Sequence, residues 1–295
     1  MSKQFKILFP TEFGPLGEKA KDNAVNLAKL YDAELILLHA IHIPSGITKL
    51  FSDVSEDEVR KRAQKAMEKY KVHLDPKGEL SISTLIKIGE PEISIVETAK
   101  EIECQLIIFG TKGGSGLRDT LLGSAVNYVI RHCPCPVITI RNKPEYLGFK
   151  RILVPLDLAQ EAGEKVSWGV RLAKKFGAEL SLYSAVSGSA NDMLTLQNRL
   201  NQATEYAKDQ GLDNVTSHIA KTDESSVANN ILEYADEVDA DLICIMTQQE
   251  SETGLRKTIL GSVADRLVNI SQRPVISIRP ERHYHTKSWQ SHHFT

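Results

Sequence analysis

The 295-residue sequence has little net charge, few cysteines and no long apolar run. Its 36 basic and 38 acidic residues give a formal net charge of −2, so nothing in the composition favours a polyanionic partner. No apolar run approaches the length of a membrane span, and the opening residues lack the apolar core of a secretory signal. We therefore expect a cytoplasmic protein with no membrane span and no nucleic-acid partner.

Cysteine is scarce, with four residues in the chain. Cys104 and Cys244 lie in apolar runs, whereas Cys133 and Cys135 flank a single proline. That pair is too close for an ordinary disulfide and lacks the two-residue spacer of redox and zinc pairs. We therefore predict reduced, buried thiols and no metal site.

Short apolar segments alternate with helical patterns along the first half of the chain. Most are apolar on successive residues, which suits parallel strands that are covered on both faces. The alternation predicts an α/β fold with right-handed crossovers and a parallel sheet. The predicted strands are residues 6–10, 34–40, 80–88, 106–109 and 137–141.

The second half of the chain repeats the first. Lys6-Ile-Leu-Phe-Pro10 recurs as Arg151-Ile-Leu-Val-Pro155, and residues 136–141 recur as residues 274–279. A repeat of this length is a whole domain and not a solenoid unit. The chain is therefore predicted to contain two copies of one α/β domain.

The repeat also places the domain boundaries. We predict domains at residues 1–143 and 149–280, followed by a tail at residues 281–295. The tail holds four of the nine histidines, and a surface tail is favoured over a metal site there.

A glycine-rich stretch follows the fourth predicted strand. It contains Gly110, Gly113 and Gly123, and Ser124 directly precedes a helical pattern. Glycine lets a ligand approach the backbone closely, and a helix N-terminus offers N–H donors at the positive end of its dipole. The stretch is therefore interpreted either as a phosphate cradle or as an ordinary strand–loop–helix connection.

These motifs together resemble the universal stress protein family in its tandem, two-domain form. The resemblance rests on Lys6-Ile-Leu-Phe-Pro-Thr-Glu12, on Leu37-Leu-His-Ala40, on the Gly110 to Ser124 spacing and on Cys135-Pro-Val137. It implies two Rossmann-like domains, each a five-stranded parallel sheet of order 3-2-1-4-5 with helices on both faces. It also implies an adenine nucleotide, ATP or AMP with or without Mg²⁺, at the carboxyl edge of the sheet.

The resemblance also assigns the site residues of the first domain. Pro10, Thr11 and Glu12 would lie beside the adenine and ribose, and Ala40 would line the adenine pocket. Lys112 and Arg118 would either contact phosphate or stay solvated. Backbone N–H groups and one hydroxyl would hold the phosphates, from Gly110, Gly113, Gly123, Ser124 and Ala125.

Two departures from the family pattern bear on the site. Glu12 stands where the family usually has aspartate, so the carboxylate lies one methylene farther out. The second half keeps Asp157, Gly261 and Ser262 as equivalents, but its loop of residues 246–254 has lost both early glycines and carries two glutamates. Negative charge disfavours a nearby phosphate. We therefore predict one competent site, in the first domain, and a degenerate second domain.

The leading hypothesis is an adenine-nucleotide-binding regulatory protein of the stress response. The sequence favours a binding protein over an enzyme, since it shows no Ser-His-Asp or Cys-His constellation and no Walker motif. The alternatives are a slow ATP hydrolase on the same scaffold, and an interaction or small-ligand module that binds no nucleotide. The two domains are expected to form an internal pseudo-dimer through their last strands, and a homodimer of chains is left open.

Overall fold

The computed structural model of the chain divides into two units, Met1–Leu147 and Gly148–Thr295. The structure describes residues 4–42, 56–111, 123–142, 148–158, 162–252, 255–259 and 261–280. For residues 248–252 and 255–259 it describes the backbone alone.

The first unit alternates strands with helices that pack on the sheet. Its five strands are all parallel, in the order β3-β2-β1-β4-β5. The elements are β1 (Lys6–Pro10), α1 (Pro15–Tyr31), β2 (Glu34–Ile41), α2 (Glu56–Leu74), β3 (Ile82–Ile88), α3 (Pro91–Glu101), β4 (Leu106–Gly110), α4 (Ser124–His132) and β5 (Val137–Ile140).

The central strands are apolar on successive residues because side chains on both faces of the sheet are buried. Ile7, Leu8 and Phe9 of β1 are all fully buried. Prolines begin α1 and α3, at the position where a missing backbone N–H breaks no intrahelical hydrogen bond. The apolar runs and the prolines therefore fix where the elements begin and which residues form the core.

The second unit has the same arrangement of five parallel strands, in the order β8-β7-β6-β9-β12. The predicted tandem α/β fold and its strand order are thereby confirmed. The elements are β6 (Arg151–Pro155), α5 (Ala162–Phe176), β7 (Glu179–Val186), α6 (Ala190–Asp209), β8 (Val215–Lys221), α7 (Val227–Glu237), β9 (Leu242–Met246), β10 (Gln248–Glu252), β11 (Leu255–Ile259), α8 (Ser262–Ile270) and β12 (Val275–Ile278).

The second unit also contains a hairpin where a loop was predicted. Strands β10 and β11 pair antiparallel, with Gln248 opposite Ile259 and Glu252 opposite Leu255. The prediction of a loop over residues 246–254 is therefore wrong for Gln248–Glu252, which form a strand. Its residues, Gln-Gln-Glu-Ser-Glu, have little intrinsic preference for a strand, so the pairing with β11 and not local propensity forms it.

Candidate functional site

The first unit has a cavity of about 580 Å³ at the carboxyl edge of its sheet. Its walls include Pro10 at the end of β1, Ala40 near the end of β2 and Gly110 at the end of β4. In an open parallel sheet this edge is where ligands bind, beside the point at which the strand order reverses. Strands β2 and β4 both pair with β1, so the reversal occurs at β1.

The cavity brings together most of the site residues predicted for this domain. Ser124, the first residue of α4, stands between the lining residues Gly123 and Ala125 in the sequence but is not itself among the lining residues that the structure describes. Lys112, Gly113 and Arg118 lie outside the described residues. The predicted residues that line the cavity are Pro10, Thr11, Glu12, Ala40, Gly110, Gly123 and Ala125.

Several lining residues were not predicted. Leu38 lies two residues before the predicted Ala40 on β2, Phe109 directly precedes Gly110 on β4, and Pro91 and Ile95 lie in the first half of α3. Leu38 could have been predicted from Ala40, because alternate residues of a strand lie on the same face of the sheet. The α3 residues line the cavity because their helix packs on the sheet, and no local sequence motif predicts which residues such packing brings to the cavity.

The segment after β1 is anchored by hydrogen bonds on both sides of Thr11. The Thr11 backbone N–H donates to the Leu38 carbonyl at 2.9 Å, and His39 Nδ1 lies 2.8 Å from the Thr11 carbonyl oxygen, so that ring nitrogen donates. The Thr11 hydroxyl oxygen accepts from the Phe13 N–H at 3.1 Å. These contacts hold the exposed Glu12 at the cavity wall.

An aromatic contact supports the same segment. Phe13 has a φ of 60° and places its ring 4.5 Å from the His39 ring and 5.8 Å from the Tyr70 ring. Burial raises the pKa of Tyr70 to about 12, so its phenol stays neutral beneath the loop. A left-handed backbone at a bulky residue is unfavourable, and packing against two rings offsets that cost.

Gly110 has a steric reason to be glycine. A Cβ atom at this position would lie 1.7 Å from the carbonyl oxygen of Leu16 and 2.5 Å from its carbonyl carbon. The backbone of the first turn of α1 therefore crosses directly over the end of β4. This close approach shapes the cavity wall, and a side chain on β4 would displace it.

The start of α4 forms another wall of the cavity. Gly123 precedes the helix, and a Cβ atom there would meet no heavy atom of the described residues within 4 Å. Backbone N–H groups in the first turn of a helix have no intrahelical acceptor and lie at the positive end of the helix dipole. This wall is therefore suited to an anionic group.

The second unit has a smaller cavity, of about 180 Å³, in the corresponding place. The predicted equivalents Asp157, Gly261 and Ser262 all line it, together with Met246 and Lys165. Lys165 is 7% exposed, and its Nζ lies 3.5 Å from Asp157 Oδ2. Glu250 and Glu252, on which the predicted negative charge rests, lie on β10, where the structure describes the backbone alone.

Within the described residues, no group of three or more His, Cys, Asp or Glu side chains is placed to hold a metal ion. None of the helices in the described ranges is both long enough and apolar enough to cross a membrane.

Comparisons with known proteins agree with the fold and with its duplication. Universal stress protein YxiE from Bacillus subtilis is 35% identical over 146 residues, which are 46% of this chain and 98% of that protein. The crystal structure of a universal stress protein from Archaeoglobus fulgidus DSM 4304 has a TM-score of 0.75 at 21% identity and covers 93% of this chain and 98% of that chain.

Another Archaeoglobus fulgidus universal stress protein is solved in complex with dAMP; it covers 44% of this chain and 97% of that chain, with a TM-score of 0.36 and 21% identity. The model of the universal stress protein family matches this chain twice, at residues 5–141 and 148–279. The chain therefore belongs to the universal stress protein family, as a tandem pair of its domains.

Proposed function

We propose that the chain is an adenine-nucleotide-binding regulatory protein of the stress response, with one competent site in the first domain. The observation that carries the proposal is the cavity of about 580 Å³ at the carboxyl edge of the first sheet. Small-molecule sites typically measure roughly 300–1,000 Å³, and the second cavity, at about 180 Å³, is below this range.

The lining chemistry supports a base at one wall and an anion at another. Leu38, Ala40 and Phe109 offer apolar surface to an adenine ring. Glu12 offers a carboxylate that accepts from an adenine amino group or a ribose hydroxyl. These groups would fix the orientation of a nucleoside in the cavity.

Phosphates would lie against the start of α4. Backbone N–H groups of Ser124 and Ala125 and the Ser124 hydroxyl are the proposed donors, with Gly123 leaving them accessible. We further propose that Gly113 and Lys112 contribute to phosphate binding. Where Mg²⁺ accompanies ATP, phosphate oxygens and water would supply most of its ligands, because the described residues offer no cluster of metal ligands.

The test is binding of ATP and AMP to the full chain after removal of any co-purified nucleotide, measured by titration calorimetry. We expect one site per chain. Gly123→Val should weaken binding by at least about tenfold, since its branched side chain covers the N–H groups that a phosphate would use. Circular dichroism and the Tm of the variant check that the fold is retained.

The corresponding substitution in the second domain tests the one-site proposal. Gly261→Val should leave both stoichiometry and affinity unchanged. Two equal sites, or equal losses from the two variants, would contradict one competent site. No binding of either nucleotide at millimolar concentration would overturn the proposed function and favour a module that binds another ligand. Multiple turnover of ATP would instead establish a hydrolase on this scaffold.

A further inference from the structure

The repeat allows residues at the start of the second domain to be paired with their counterparts in the first. Lys6 corresponds to Arg151 and Ala33 to Ala178, both at a separation of 145 positions. No insertion separates these landmarks, so Ala20 on α1 corresponds to Lys165 on α5. A small apolar residue in one domain therefore stands where the other has a long cation.

The two counterparts have different environments at the same place in the fold. Ala20 is fully buried in the first unit, where the cavity measures about 580 Å³. Lys165 is also buried, lines the second cavity, and is accompanied there by Met246, the counterpart of Gly110 at the end of the strand. Two larger side chains thus border a cavity of about 180 Å³.

Burial of an ammonium group is costly unless an anion or other acceptors compensate it. Here Lys165 Nζ lies 3.5 Å from Asp157 Oδ2, and Asp157 corresponds to Glu12 in the first domain. The carboxylate that would accept from a nucleotide in the first domain is therefore engaged by the chain's own cation in the second. The Asp157 carbonyl oxygen also accepts from Arg199 Nη1 at 2.9 Å, which ties this segment to α6.

We propose that Lys165 is the residue that closes the second site to nucleotide, because its side chain fills the cavity and its ammonium group occupies the Asp157 carboxylate. This inference rests on the proposed function, in that it explains why one of two homologous sites would bind. It locates the closure in the helix after the first strand of the domain. The loss of the early glycines from residues 246–254 is a separate change in the same domain.

A first experiment is independent of nucleotide. Replacement of Lys165 by alanine removes three methylene carbons and the ammonium nitrogen, which together match n-propylammonium. We expect this ion to raise the Tm of Lys165→Ala by at least about 2 °C more than that of the wild-type chain, because it refills the cavity in the folded state alone. Lys174→Ala, at an exposed position on the same helix, is the matched control and should respond like wild type.

If Lys165→Ala does not fold, the wild-type chain still decides the question. Reductive methylation followed by peptide mass spectrometry should modify Lys174 rapidly and Lys165 at least about tenfold more slowly. Equal modification of the two lysines would overturn the inference. So would a folded Lys165→Ala that responds to n-propylammonium no more than Lys174→Ala does.

The reciprocal substitution connects the inference to nucleotide. Ala20→Lys should weaken ATP and AMP binding at the first site by at least about tenfold, because it introduces the same side chain at the equivalent position of α1. Unchanged affinity in a folded Ala20→Lys variant would contradict closure by this residue. A wild-type chain that binds neither nucleotide would overturn the proposed function instead, and the n-propylammonium result would still decide whether Lys165 fills the second cavity.

Discussion

Gly110 and Gly123 line the same cavity, and the same substitution should affect them in opposite ways. In Gly110→Ser, the new Cβ would lie 1.7 Å from the Leu16 carbonyl oxygen, whereas an unstrained contact is about 3.5 Å. The backbone of the first turn of α1 would have to recede by about 1.8 Å. Overpacking of this kind costs about 1–3 kcal/mol, which for a chain of this size lowers the Tm by roughly 2–12 °C.

Gly123→Ser is the matched control. Its Cβ would meet no heavy atom within 4 Å among the residues that the structure describes, and serine is a preferred residue directly before a helix. We expect its Tm to equal or exceed that of the wild-type chain. Differential scanning calorimetry gives the transitions, and hydrogen exchange shows whether protection is lost in the segment that includes Leu16. A Gly110→Ser variant as stable as Gly123→Ser would refute the claim that a backbone crossing dictates glycine at the end of β4.

Two further predictions concern the stability and chemistry of the chain. Ser189→Ala should destabilise the second domain by about 1 kcal/mol in urea unfolding, because it breaks the capping box in which the Ser189 hydroxyl accepts from the Asp192 N–H; an unchanged midpoint would contradict this. Hydrogen bonds from Ser189 lower the pKa of Asp192 below its usual 3.8, so the stability from this carboxylate is present above that pH and is lost as pH falls through the lowered value. The four cysteines should react slowly with a thiol reagent in the native chain and completely in urea, because all are buried and burial raises the pKa of Cys244 to about 12; rapid native reaction of any one would show that it is accessible.

The fold could be predicted because its signals are local and occur twice. Runs such as Leu106–Phe109 are apolar on successive residues, and the order of elements is the same in both halves. Site residues that terminate strands, such as Pro10 and Gly110, were found for the same reason, since the carboxyl ends of parallel strands meet at one edge. What local sequence indicates well is the position of a residue along an element.

Side-chain direction into a cavity was harder to predict. Lys165 precedes the apolar position Val166 in a helical pattern, and lysine is usually exposed, so no sequence pattern indicated that its side chain would be buried. The burial of Lys165 follows from the packing of α5 on the sheet, which only the structure shows. The pairing of β10 with β11 was missed for a related reason, since it depends on contacts between the two strands and not on the local sequence of either.

The two domains share one hydrogen bond beside the cavity and differ in the residues at the cavity itself. His39 Nδ1 donates to the Thr11 carbonyl at 2.8 Å, and Ser184, its counterpart at the same 145-residue separation, donates through its hydroxyl to the Leu156 carbonyl at 3.0 Å. The chemistry of the side chain has changed, but the hydrogen bond that anchors the segment after the first strand is present in both domains. This anchor is therefore a requirement of the fold, whether or not the cavity holds a ligand. The domains differ instead at the cavities themselves: Lys165 and Met246 line the second cavity, whereas Gly110, the counterpart of Met246, lines the first and the counterpart of Lys165 is the small, buried Ala20.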